Sequence, residues 1–272
     1  MNPATPTAAP APPTRRERLR EQTRTEIKSA ARAQLVTHGP RGIQLRAIAR
    51  DVGLTAPALY RYFPSLEELT EAVTVDLFDE LCDAMESSAD LVTDPFARML
   101  ELSRAFRRWA ISHPHEFGLL FAVAPTALGE QPSTACQRAS DRFGNLFATA
   151  FISMWDAEPF PVAPDDTIAP EMRAGLTEYW TWLTTTVAPQ IPLGALVLFL
   201  DGWVRIFGSV TMEAFGHLSW AMPDAEPMFE EVMRGLAVMV SQPDAYGPPL
   251  FPMATPATGP TPPTTESDPS AP

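Results

Sequence analysis

The sequence predicts an all-α chain of about ten helices, with a small three-helix unit ahead of a larger helical body. Three observations carry this expectation. Apolar residues recur at steps of three and four through most of the chain, and no stretch alternates apolar with polar residues over a useful length. A proline or a capping residue opens most of these runs, and turn residues separate them. Charge divides at the same place as the pattern. Between Arg15 and Leu66, eleven Arg or Lys face four Asp or Glu, a balance of +7, whereas the remainder carries −20 within a net charge of −13. A basic segment beside an acidic body points to a polyanion partner for the first part alone. Solvated helices carry charge too, so the charge needs a motif beside it.

Both ends are low in complexity. Residues 1–14 hold Pro, Ala and Thr, and 246–272 are dominated by Pro, Thr and Ala, so both are expected to be disordered tails. The first helix places Ile27, Ala30, Ala31 and Leu35 on one face, with Thr23 and Glu26 as a capping box and Gly39-Pro40 as its stop. Short helices follow at Leu45 to Val52 and Ala56 to Tyr62. Ser65 and Glu68 then open a long helix towards Ser87. Further helices are expected near Pro95 to Ser112, Pro114 to Ala124, Ser133 to Asp156, Pro170 to Val187, Pro192 to Leu218 and Pro227 to Val240. The expected division is a unit over 15–66 and a helical body over 67–245.

The stretch from Arg46 to Phe63 reads as one helix broken in two. Gly53 takes positive φ at low cost and ends the first half. Thr55 caps the second half by accepting from the Ala58 N–H, and Pro57 sits in the first turn, where its missing N–H is not required. Leu59 and Phe63 face inward with Ile48, Ala49 and Val52. Two short helices joined by a tight turn, about 44–63, form a helix-turn-helix, which inserts its second helix into the DNA major groove. Small residues Ala56 and Ala58 beside Thr55 permit close approach, and Tyr60, Arg61 and Tyr62 offer donors to phosphate oxygens or a base edge. Spacing alone leaves a second reading, a helical hairpin whose tyrosines pack locally.

From Arg24 to Leu69 the chain closely resembles the DNA-binding domain of the tetracycline-repressor (TetR) family. The resemblance rests on Ile27, Ala30, Ala31, Gly39, Gly42, Leu45, Ile48, Ala49, Gly53, Leu59, Tyr60, Phe63, Ser65 and Leu69. It implies a homodimer, one recognition helix per subunit and a helical C-terminal domain that binds a small ligand. The DNA contacts it implies are Arg24, Gln44, Arg46, Thr55, Ala56, Pro57, Ala58, Tyr60, Arg61 and Tyr62. Two positions depart from the family pattern. Gln44 stands where Thr or Ser is usual, which weakens the second helix's cap. Leu66 stands where Lys is usual, which removes a phosphate contact. The arginines at 15, 16, 18, 20 and 24 form a basic arm that can compensate.

In the body, Leu196, Leu200, Trp203, Phe207 and Val210 recur at steps of four and three, and Phe229, Val232, Met233, Leu236 and Met239 repeat the pattern. In a monomer both runs are core. The resemblance assigns them to a four-helix dimer interface. "SHPHEFGLLF" and "WVRIFGSVTMEAFGHL" also resemble a C-terminal type named for a Trp-His-Gly motif, with Phe207 in the histidine position. A pocket is expected among the middle helices, lined by Phe106, Trp109, Phe117, Phe121, Phe147, Phe151 and Trp180, with Arg107, Arg108 and Arg142 as candidate charges. Aromatics at helical spacing are also what a plain core contains.

The chain lacks a G-x-S-x-G elbow, a phosphate-binding Gly loop and an H-E-x-x-H pair, so no catalytic residue is assigned. His113, His115 and Glu116 straddle Pro114 at a helix boundary and have no second ligand pair, so no metal and no cofactor is expected. Cys82 and Cys136 have no redox or metal spacing and fit a reduced, cytoplasmic setting. No run approaches the roughly 20 apolar residues of a spanning helix, and a signal peptide is not evident. The expected function is a sequence-specific DNA-binding regulator, a homodimeric repressor on a palindromic operator, released by a small apolar ligand. Two alternatives remain: a dimeric regulator controlled by a protein partner or by no ligand, and a ligand-binding protein with weakened DNA binding.

Overall fold

The computed structural model describes residues 14–122 and 133–240, and every regular element among them is helical. The tails expected at 1–14 and 246–272 lie outside these residues, except for Thr14. That residue caps α1 (Arg15–His38) through a closed capping box with Glu17, so the helix begins two turns ahead of the expected Thr23 cap. The Thr23 hydroxyl instead donates back to the Leu19 carbonyl at 3.0 Å, inside the helix. Gly39, at φ 71°, ends α1 as expected.

After a single 3₁₀ turn at Pro40–Gly42 come α2 (Leu45–Asp51) and α3 (Ala56–Leu59). The α-helical part of α3 is shorter than expected, but hydrogen-bonded turns carry the chain on to Phe63, whose N–H reaches the Leu59 carbonyl at 3.1 Å. Ile27, Ala31, Leu35, Ile48, Leu59 and Phe63 form the core of this unit at 0–1 % exposure. α4 (Leu66–Ala89) follows from Ser65, whose Oγ accepts from the Glu68 N–H. Its first turns bury Leu69 and Val73 in the same core cluster, and its later turns carry Leu77, Phe78 and Leu81 into the body.

The body packs α4 against α5 (Pro95–Ser112) and α7 (Thr134–Ala157). Between them the helix expected from Pro114 divides into α6 (Pro114–Phe117) and a π-helical turn at Gly118–Ala122, and its last two residues fall outside those described. α8 (Pro170–Thr186) lies on the periphery and buries only Leu183. α9 (Leu193–Ala214) and α10 (Glu226–Met239) pair with each other. α9 ends four residues before its expected stop because Gly216, at φ 70°, closes a Schellman turn in which the His217 N–H reaches the Met212 carbonyl.

α9 is long and apolar enough, by length and composition alone, to cross a membrane, with a mean hydropathy of 1.6 and a third of that window buried. Its apolar residues divide between the internal core and an outer face. Cys82 is fully buried, and that burial pushes its thiol up to about 12; Cys136 is half-buried and also raised.

Candidate nucleic-acid interface and internal cavity

The turn between α2 and α3 is built as its residues dictate. Gly53, at φ 70°, donates to the Arg50 carbonyl, and Leu54 N–H reaches the Ala49 carbonyl at 2.7 Å, which closes a second Schellman turn. Thr55 Oγ1 accepts from the Ala58 N–H at 3.3 Å. Gln44 caps α2 in position only, since its side chain makes no cap hydrogen bond. Its backbone N–H instead donates to Gln34 Oε1 at 2.9 Å, and Gln34 Nε2 donates to Asp51. One glutamine from α1 thus holds both ends of α2. Leu66 is half-buried against the core, an apolar role that a lysine would not fill.

Arg46, Thr55, Pro57, Tyr60 and Arg61 stand exposed on this unit, with Ala56 and Ala58 partly so. Tyr62 is half-buried against the core rather than on the outer face. Arg24 is occupied within the protein. Its Nη1 donates to the Tyr62 carbonyl at 2.7 Å, and its guanidinium lies 4.3 Å from the centre of the Phe63 ring. It therefore straps α1 to the end of α3.

The partnering of cations separates the two parts of the molecule. Among the described residues, Arg15, Arg16, Arg20, Arg41, Arg46, Arg50 and Arg61 have no acidic or carbonyl partner for their side chains, and all are exposed. Every arginine of the described body is engaged. Arg142 bridges Asp79, Asp83 and Glu86, Arg104 holds Glu230 with two hydrogen bonds, and Arg107 holds Glu213 likewise.

A polar network that the sequence did not reveal joins the two parts. Arg32 of α1 donates to both oxygens of Glu80 on α4, at 2.5 and 3.0 Å, and to buried Glu116 on α6 at 3.3 Å. Trp109 Nε1 donates to Glu80 at 3.2 Å, and His113 stacks on the Trp109 ring at 4.9 Å. The Arg32 hydrogen bonds hold the Glu80 carboxyl below the usual carboxylate range. Glu116 is thus a junction residue rather than an ordinary helix-end polar group. No group of His, Cys, Asp or Glu among the described residues has the arrangement of a metal site.

An apolar cavity of about 60 Å³ lies between α5, α7, α9 and α10. Phe147 and Phe151 line it as expected, but the other walls are Met99, Met154, Phe199, Trp203, Met233, Leu236 and their neighbours. Phe106 and Phe117 are instead fully buried rings of an aromatic cluster that also holds Phe121, Phe143 and Phe207. Trp109 belongs to the junction. Trp180 donates to the Ile191 carbonyl on the α8 side, away from the cavity. None of Arg107, Arg108 and Arg142 reaches the cavity lining.

The expected interface seam is divided between buried and half-exposed residues. Leu196, Val210, Phe229 and Met233 are 0–2 % exposed within one subunit, and Leu200, Trp203, Phe207, Val232 and Leu236 are half-buried. The outer apolar residues of this helix pair are Val204 and Met212 on α9, and Met228 and Val238 on α10. Gly208 and Gly235 lie on the same faces, with open space where a Cβ would stand.

Two family models match the chain. "Bacterial regulatory proteins, tetR family" covers residues 27–73, and "Tetracyclin repressor-like, C-terminal domain" covers 99–236. The chain is 25 % identical over 232 residues to the HTH-type transcriptional regulator Rv1816 of Mycobacterium tuberculosis, covering 84 % of this chain and 96 % of that one. The solved regulatory protein SCO4313 superposes with a TM-score of 0.63 at 26 % identity, covering 82 % of this chain and 98 % of its own. RolR, solved in complex with resorcinol, shares the fold with a TM-score of 0.51 at 15 % identity, over 84 % and 92 % of the two chains. With the helix-turn-helix matched at one end and the helical body at the other, the chain belongs to the TetR family of transcriptional regulators.

Proposed function

We infer that this regulator binds a palindromic operator as a homodimer and is released by a small, largely apolar ligand. The observation that carries the DNA reading is the placement of the unpartnered guanidiniums. A protein that pairs its described body arginines, yet leaves seven exposed arginines within 15–61 with no acidic or carbonyl partner among the described residues, holds that charge for an outside polyanion. In a dimer, two copies of α3 would stand about 34–36 Å apart, one helical turn of DNA. The proposed base and phosphate contacts are Arg46, Thr55, Ala56, Pro57, Ala58, Tyr60 and Arg61, supported by their exposure. The side chain of Gln44, free of capping duty, joins them. Selection of bound sequences from random duplex DNA at a fixed salt concentration tests the reading. An enriched palindrome is expected, and folded protein with no enriched sequence would sink it.

The proposed dimer face is the outer stripe of Val204, Gly208 and Met212 with Met228, Gly235 and Val238, one position around the helix from the seam read in the sequence. Val204→Glu with Val238→Glu should yield monomers in sedimentation while leaving the helical content unchanged. A dimer that survives both changes would move the interface elsewhere.

The effector reading rests on the cavity and on its route outward. At about 60 Å³ it is smaller than the roughly 150 Å³ that holds a benzene-sized ligand. Holding a ligand of that size therefore requires side chains to move, and Met99, Met154, Met233 and Met239 are the flexible ones in its wall. Trp203 borders the cavity and contacts Phe106 and Phe207, both of which touch Phe117 on α6, next to Glu116 and so to Arg32. A ligand that prefers a repacked Trp203 would bias the junction and the spacing of the recognition helices. Titrating neutral single-ring aromatics and aliphatic compounds against the protein–DNA complex tests this. Release of DNA is expected, and a compound that tightens binding would reverse the assigned direction.

A further inference from the structure

The first turns of α1 break a local rule. Arginines occupy positions 15, 16, 18 and 20, four of the first six residues of the helix, where the aligned peptide dipoles already place positive charge. Nothing in the core requires this segment. Residues 14–22 are all exposed, Leu19 among them at 54 %, and the first buried residue of the helix is Ile27. The helix is nevertheless secured from within. Thr14 Oγ1 accepts from the Glu17 N–H, the Glu17 carboxylate accepts from the Thr14 N–H at 2.6 Å, and Gln22 donates to Glu26 at 3.0 Å. The capping hydrogen bonds also hold the Glu17 carboxyl below its ordinary range, so this acid is committed to the cap. Arg15, Arg16 and Arg20 have no partner among the described residues. From Arg15 to Ile27 the rise is about 18 Å, a rigid rod three turns long.

Its direction is fixed by three interactions. Arg24 grips the Tyr62 carbonyl at the end of the α3 turn. Lys28 pairs with Asp76 at 2.6 Å and Arg32 with Glu80, so equal four-residue steps on α1 and α4 match and the two helices run parallel. The N-terminus of α1 therefore lies at the same end of the molecule as the start of α4, beside α3. Glu67 and Glu68 open α4 there, so the cations at this end of the pair come from the arm.

We propose that residues 15–20 form a helical arm whose guanidinium groups bind the phosphate backbone of the duplex that α3 reads, supplying sequence-independent affinity. This rests on the DNA-binding reading above and adds a second binding surface to it. The occupant is duplex DNA, by charge complementarity and by the arm's position beside α3. Phosphate binding adds affinity without base preference.

The test uses the full chain and a variant carrying Arg15→Gln, Arg16→Gln and Arg20→Gln, with fluorescence anisotropy on a selected duplex and on an unrelated duplex across a salt series. The slope of log affinity against log salt should become shallower by about 0.9 for each phosphate that the variant leaves unneutralised. With equal affinity at 1 M salt, this is a weakening of about eightfold at 0.1 M for one phosphate and about 500-fold for three. The weakening should be the same on both duplexes. The thermal midpoint should hold or rise slightly, because cations leave the positive end of a helix. An unchanged slope overturns the arm, and so does a weakening confined to the selected duplex, which would mark base recognition. A fall in thermal midpoint with no change in slope would assign the arginines to stability and overturn it as well. Failure of the wild-type chain to select any duplex would instead sink the DNA-binding reading.

Discussion

The N-terminal unit and the helical body treat the same side chain in opposite ways. In the body an arginine is a fastener: Arg107 is 7 % exposed and sits between Glu213, Glu226 and the Phe229 ring. In the N-terminal unit the arginines at 46, 50 and 61 are exposed and have no partner among the described residues. The difference teaches where stability and recognition have been separated. Charges in the body are neutralised to hold helices together. In the N-terminal unit Arg24, Lys28 and Arg32 do the same, but the exposed arginines of α2 and the α3 turn are kept available. Substitutions of arginine should therefore sort by region, with large effects on stability in the body and small ones near α3.

The largest effect is expected at Arg107. Its Nε and Nη2 donate to the two oxygens of Glu213 at 2.7 and 2.6 Å, tying α5 to the end of α9. Arg107→Ala leaves a nearly buried carboxylate without its partner and should cost about 3–5 kcal/mol by denaturant unfolding. Joint replacement by Arg107→Met and Glu213→Leu should recover most of it, because an apolar pair also fills the site. A loss below about 1 kcal/mol would remove the fastener reading.

Arg32 belongs to both regions, so it tests the boundary between them. Arg32→Met should cost about 1–3 kcal/mol by leaving Glu116 unpaired, and should also uncouple the two parts, seen as separate thermal transitions. The pH dependence follows from Glu80. Its carboxyl is depressed in the folded state, so its contribution is complete above the ordinary value of 4.5 and is lost as pH falls through the folded value. The stability gap between wild type and Arg32→Met should therefore narrow below pH 4.5. A gap that is constant down to pH 3 would show that Glu80 takes no part.

What can be read from sequence is local. Gly53, Thr55 and Pro57 announce their turn because each fixes the backbone at its own position, and the structure keeps all three roles. The start of α1 is ambiguous in sequence because Thr14–Glu17 and Thr23–Glu26 share one capping spacing, and spacing does not rank two copies of itself. The outer apolar stripe of α9 lies one position around the helix from the seam read in the sequence. Periodicity shows that a helix has apolar faces, but Trp203 faces the cavity and Val204 faces out, and only packing chooses between them. The junction is invisible in sequence, since Arg32 meets Glu80 and Glu116 across 48 and 84 residues and no short pattern links them.

Gly53 shows that the N-terminal unit has its own stability determinants, set by backbone rather than charge. No atom stands within 4 Å of a Cβ placed there, so the cost of Gly53→Ala comes from φ +70° alone. About 1–2 kcal/mol is expected, with Gly53→Asn costing less because asparagine tolerates the left-handed region better. Equal thermal midpoints for the alanine variant and wild type would mean that the turn relaxes elsewhere.

The smallest effect on stability is the one that decides the comparison. Arg46→Gln and Arg61→Gln remove exposed side chains that have no partner among the described residues, so each should shift unfolding by no more than about 0.5 kcal/mol. On DNA their effects should be larger and distinguishable. An arginine that reads a guanine edge should cost about 1–3 kcal/mol of affinity on the selected duplex and relax the preference at one base position. An arginine on a phosphate should weaken all duplexes alike and lower the salt slope by about one unit. Arg61 lies two residues beyond α3, in the hydrogen-bonded turn that continues it, and is expected to behave in the first way, whereas Arg46, in the first turn of α2, is expected to behave in the second. If either substitution destabilised the fold as much as Arg32→Met while leaving DNA affinity intact, the exposed guanidinium would be a fastener after all, and the division of labour between the two regions would fail at that residue.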